Sequence, residues 1–284
     1  MWKMPHEDLA DSSRIQANAR DNMEALITAV KDDSIQTATF ALASNVLRRV
    51  NNADKDRLLS ECRSKRMVDL LVTNGYVPTA ATLCKVAGFK VKHEVLGWLL
   101  EYGLPVDGHP QRYANWETPL MCASREGALT NVKLLLTYDA DPRISSGREM
   151  WTALHCATSS CSSEWQHDPS YFQYSATVEA LIDAGANVDG QCDTGTTPLM
   201  FASRSRNPNV CALLLRHGAN PNAIDLRNKT ALDHINGIDP KLFAFDANPA
   251  MGIENAKLVV ELLTSAKHLS PASIDLLTGE IAGR

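Results

Sequence analysis

Apolar positions in the second half of this chain fall into short helical stripes that come in pairs. Leu134-Leu135-Leu136, Leu181-Ile182 and Leu213-Leu214-Leu215 each end a stripe and lead into Asp139, Gly185 and Gly218. Ahead of the stripes a shorter phrase recurs. It reads Thr118-Pro119-Leu120-Met121-Cys122-Ala123, Thr152-Ala153-Leu154-His155-Cys156-Ala157, Thr197-Pro198-Leu199-Met200-Phe201-Ala202 and Thr230-Ala231-Leu232-Asp233-His234-Ile235. The first two threonines are 34 residues apart and the last two 33. A threonine before proline predicts a helix start: the hydroxyl caps backbone donors and proline sits in the first turn, where it loses no bond. A glycine after the last turn predicts a left-handed residue that satisfies orphan carbonyls. Asp139 takes that conformation at some cost. The pattern predicts helix starts and helix ends that recur with a period near 33 residues.

That period and the T-P-L-H-x-A phrase resemble the ankyrin repeat. Leu213 to Asn222, Leu181 to Asp189 and Leu134 to Pro142 resemble the family's closing phrase, L-L-x-x-G-A-x-x-N. The resemblance implies an all-α repeat solenoid of about six to seven helix pairs, each preceded by a hairpin-like finger. Clear repeats run from about 113 to 265, and looser ones from 21 to 107. In the looser part Met67–Gly75 and Val95–Gly103 resemble second helices, with Ala80–Ala87 between them. Their glycines are only 28 residues apart, so the joining finger must be short. Met23–Val30 and Ile35–Val50 read as a degenerate N-terminal cap, residues 1–20 as a flexible tail, and about 270–278 as a closing helix.

Two repeats are longer than the rest. From the opening threonine to the first apolar residue of the second helix is 13 residues at Thr197 but 26 at Thr152 and 28 at Thr230. The extra residues lie within Ser159–Ser175 and Asn236–Glu254, between the two helices of each repeat. The first insertion holds Trp165, Tyr171, Phe172 and Tyr174, four of the 17 aromatic residues. Trp165 and Tyr171 are candidate binding anchors, or else the loop folds back on its own repeat. The second holds Phe243, Phe245 and Met251 and reads as a self-packing lid.

The net charge of −5 and pI near 5.9 do not supply the basic face that nucleic acid requires. No apolar run approaches membrane-spanning length. Seven scattered cysteines without a CxxC pair read as reduced thiols of a cytosolic or nuclear compartment. There is no phosphate loop, HExxH or GxSxG. His155, Cys156, Cys161 and His167 are the best zinc candidates. The resemblance already explains His155, whose ring in the family hydrogen-bonds the neighbouring finger. No cofactor is expected, and the reading is a non-enzymatic binder, a monomer on its own. The alternative is an enzyme or metal-dependent activity housed in 159–175, where Glu164, His167 and Asp168 cluster.

The resemblance also implies where a partner docks: the concave groove lined by fingers and first helices. The matching positions include Asn115, Trp116 and Glu117 on one finger, then Arg148 and Trp151, then Arg227. Arg125 and Arg204 end first helices. Four guanidiniums and two tryptophans on one face suit an acidic or phosphorylated segment of another protein, with an aromatic anchor. The plainer reading pairs Arg125 with Glu117 or Glu126, and Arg148 with Glu149. On the binding reading the chain serves as adaptor, effector or stoichiometric inhibitor.

Overall fold

The computed structural model describes residues 22–43, 58–59, 61–89, 93–108, 117–160, 170–236 and 249–267. The expected tail, the end of the Ile35–Val50 stripe and the closing helix near 270–278 lie outside them. The chain divides into two compact units, one of Met1–Val86 with Glu94–Leu104, the other of Ala87–His93 with Pro105–Arg284.

In the first unit the helices include α1 (22–31), α2 (Ile35–Leu42), α3 (Lys65–Thr73), most of α4 (Ala80–Gly88) and nearly all of α5 (His93–Glu101). Ser64 caps α3 by accepting from the Met67 amide. The α3 end is closed by Gly75 at φ 94°, with Gly75 N–H donating to Val72 C=O and Tyr76 N–H to Leu71 C=O. These two crossed bonds are a Schellman ending, and they satisfy carbonyls the helix leaves open. Only Asn74–Thr79 separate α3 from α4, so the short joining segment inferred from glycine spacing is present. Met67, Leu71, Leu83, Leu96 and Leu99 are fully buried in this unit.

The second unit holds α6 (Pro119–Arg125), α7 (Leu129–Thr137), α8 (Ala153–Ser160), α9 (Ser170–Asp183), α10 (Pro198–Arg204), α11 (Pro208–Arg216), α12 (Ala231–Asn236) and α13 (Pro249–Ala266). First helices α6, α8, α10 and α12 pack in one row, and second helices α7, α9, α11 and α13 in another. This is an all-α stack of four helix pairs, as the repeated phrase implies. Thr118 and Thr197 cap their helices through the Met121 and Met200 amides, with proline in the first turn of each. Ala123, Ala157 and Ala202 are fully buried where the rows approach. Asp139 (φ 62°), Gly185 (φ 92°) and Gly218 (φ 86°) close α7, α9 and α11 with the same crossed pair of bonds as Gly75.

The two long repeats differ from the expectation of loops alone. Helices α7 and α11 have 9 residues, whereas α9 has 14 and α13 has 18. Much of the inserted sequence therefore lengthens the second helix at its N-terminal end. Ser170–Asp183 contains neither glycine nor proline, and Pro249 stands at the start of α13, where proline is tolerated. Tyr174 anchors the α9 extension by donating its hydroxyl to the Arg125 carbonyl at 3.0 Å. Its ring lies over Gly127, where a Cβ would come within 3.0 Å of it. Trp165, Phe243 and Phe245 lie outside the described residues, and Met251 belongs to α13 rather than to a lid.

Candidate partner-binding face

Three fingers precede α8, α10 and α12, and each is a tight hairpin turn. In the first, Ser146 and Trp151 exchange both backbone hydrogen bonds, at 2.9 and 3.1 Å. In the second, Cys192 N–H donates to Thr196 C=O at 3.1 Å, and in the third, Asp225 N–H donates to Lys229 C=O at 3.0 Å. Each turn has a left-handed residue just before its closing position, Met150 (φ 54°), Gly195 (φ 76°) and Asn228 (φ 55°), and the first turn has a second, Gly147 (φ 77°). Glycine and asparagine suit that position, whereas a methionine there carries strain of about 1–2 kcal/mol. The fingers are tied side by side, Asp193 N–H to Glu149 C=O and Leu226 N–H to Thr194 C=O, both at 3.0 Å.

His155 locks the first helix to the next finger. Thr152 N–H can only donate, so its 3.1 Å contact with Nδ1 makes that nitrogen the acceptor. Nε2 then carries the proton and donates to the Thr196 carbonyl at 3.2 Å. The ring is fully buried, and burial lowers its pKa below the usual 6.5, so the neutral tautomer is the folded form. Both ring nitrogens are occupied, which leaves neither for a metal. Burial raises the neighbouring Cys156 thiol to about 12. Cys161, Glu164, His167 and Asp168 lie outside the described residues. Among the described residues no group of three or more His, Cys, Asp or Glu side chains could hold a metal ion.

The expected binding residues are placed as follows. Arg125 meets Glu117 through two hydrogen bonds, one of 2.8 Å from Nη1 to Oε2. Those bonds favour its protonated form beyond the usual arginine range. Sequence offered Glu117 or Glu126 as partner, and the fold selects Glu117. Trp151 is half-buried and packs edge-on against Phe201 of the next repeat, ring centroids 4.9 Å apart. It therefore contributes to the stack as well as to the surface. Arg204 is exposed and lies over the same Phe201 ring at 5.0 Å. Arg148 and Arg227 are exposed on the first and third fingers. Arg148, Arg204 and Arg227 have no ion-pair partner among the described residues, Glu149 included. Asn115, Trp116 and Trp165 lie outside the described residues. Tyr171 is on the first turns of α9, with its side chain outside them.

Sequence reasoning missed the apolar tips. Met150 is 49% exposed and Leu226 is 77% exposed. Aligning the three fingers reveals the first, because Met150 stands where Gly195 and Asn228 stand. Leu226 covers Gly195, whose Cβ would lie 3.3 Å from Leu226 Cγ.

No helix among the described residues is long and apolar enough to cross a membrane. A family profile described as ankyrin repeats (3 copies) matches residues 167–235, and a single ankyrin-repeat profile matches 115–146. The chain is also similar to the putative palmitoyltransferase ZDHHC13 of Danio rerio, 29% identical over 166 residues. That stretch is 57% of this chain and 24% of the relative, so the chain spans about a quarter of it. Ankyrin repeats are generally protein-interaction modules. The profile matches fall on the helix pairs, left-handed endings and hairpin fingers described above, and the chain is an ankyrin-repeat protein.

Proposed function

We propose that this protein is a non-enzymatic binding module that takes an acidic or phosphorylated segment of a partner protein on its finger and first-helix face. The carrying observation is the set of three exposed guanidiniums, Arg148, Arg204 and Arg227, without carboxylate partners among the described residues, on a chain of net charge −5. An arginine fork matches carboxylate and phosphate oxygens in two-point geometry. Arg125, held by Glu117, supports the shape of the face rather than its positive charge. Trp151 and Phe201 supply an aromatic floor next to Arg204. The module acts by occupying its partner, as adaptor or as stoichiometric inhibitor.

The test is site-specific photo-crosslinking in native lysate. A photoreactive residue at Arg148 or Arg227 is expected to capture one discrete polypeptide. The same residue at Lys133 or Glu179, exposed on second helices, should not. Capture from the second helices alone would place the binding face elsewhere.

A further inference from the structure

Met150 is out of keeping with the finger it occupies. The equivalent residues of the next two fingers are glycine and asparagine, both at ease in the left-handed region. Methionine has no side-chain hydrogen bond to offset that conformation. Being 49% exposed, it also recovers little by burial. An outlier that serves the fold poorly points to a use elsewhere. Leu226, two fingers along, is 77% exposed and presents a second large apolar group. Arg148 adjoins the first tip within its own finger, and Arg227 directly follows Leu226. The backbone bonds from Glu149 to Asp193 and from Thr194 to Leu226 set these tips in one row. Each finger is a pair of segments about 4.8 Å apart, so adjacent fingers lie about 10 Å apart and the first and third tips about 20 Å apart. An extended chain covers that distance in about six residues at roughly 3.3 Å each.

We infer that the fingertip row receives an extended acidic peptide with large apolar side chains about six residues apart. These seat against Met150 and Leu226, while flanking carboxylates meet Arg148 and Arg227. The inference rests on the finger-face reading above and adds the chemistry of the bound segment. The occupant is set by charge: the exposed Arg148, Arg227 and Lys229 outnumber the exposed Glu149 and Asp193 of the row, and the two guanidiniums have no ion-pair partner among the described residues, so a basic or purely apolar segment is disfavoured.

The experiment is selection of a random-peptide display library on the immobilised full chain, followed by fluorescence polarisation with the synthesised winners. Peptides combining Asp or Glu with spaced Leu, Ile, Met or Phe are expected. Met150→Gly should bind them about fivefold or more weakly, the range of a hot-spot truncation, while its thermal midpoint rises. Met150→Leu should restore binding. The Arg148→Glu, Arg227→Glu double variant should weaken binding by about tenfold or more. Winners that depend on the arginines but bind Met150→Gly unchanged would overturn this inference and leave the finger-face reading standing. Winners indifferent to both sets of changes, a basic consensus, or no enrichment would overturn both.

Discussion

Replacing His155 with alanine tests the contact that couples one repeat to the next. The imidazole accepts from Thr152 N–H at 3.1 Å and donates to Thr196 C=O at 3.2 Å. Without it the Thr152 amide loses an acceptor at a partly buried site, which costs about 1–2 kcal/mol. Thr196 C=O keeps its bond from Cys192 N–H, so its loss is about one ordinary hydrogen bond, ~0.5–1 kcal/mol. The vacated ring also leaves space beside Phe201, whose centroid is 5.8 Å from that of His155, for about 1 kcal/mol more. The sum is about 3 kcal/mol, measured by chemical denaturation followed by circular dichroism.

The pH dependence supplies an independent check. Burial lowers the His155 pKa in the folded state, so just below pH 6.5 the unfolded chain binds the extra proton. The stabilisation is complete above that pH and declines as pH falls through 6.5 toward the folded value. The gap between wild type and His155→Ala should therefore narrow from pH 7.5 to pH 5. A loss below about 1 kcal/mol, or a gap independent of pH, would refute the assignment of His155 as a neutral two-sided bridge.

Further outcomes follow from the packing. Gly127→Ala forces a Cβ at φ 61° to within 3.0 Å of the Tyr174 ring, so a loss of about 2 kcal/mol is expected in denaturant titrations. In a Tyr174→Ala background the same change should cost about half as much, since only the backbone term remains. Asp139→Gly relieves a left-handed non-glycine and should stabilise by about 0.5–1 kcal/mol, read as a raised thermal midpoint. Cys156 and Cys211 are buried with thiols raised to about 12 by desolvation. They should resist a thiol-titrating reagent at pH 8 until denaturant is added, and prompt labelling in the folded protein would contradict their burial.

What was legible in the sequence was local. Thr118-Pro119 and Thr197-Pro198 announce helix starts because the cap and the constrained φ act within four residues. Gly75, Gly185, Gly218 and even Asp139 announce helix ends because a left-handed residue is needed there whatever packs nearby. The contacts that shape the binding face join distant positions. Tyr174 meets the Arg125–Gly127 turn across 49 residues of chain, and no local signal announces that contact. Trp151 reads as a spare fingertip aromatic until Phe201 is found beneath it. Arg125 has acidic candidates on both sides in sequence, and the fold decides between them. Met150 escapes notice because an exposed methionine is ordinary, and only its backbone angle sets it apart.

The account's central claim is that the finger row, with Arg148, Arg204 and Arg227, is the binding face. Amide hydrogen exchange of the full chain, with and without the tightest display-selected peptide, tests it most directly. Slowed exchange in residues 146–151, 192–196 and 225–230, with second helices unchanged, is the predicted result. Protection confined to the exposed sides of α7 and α9, around Lys133 and Glu179, would contradict it.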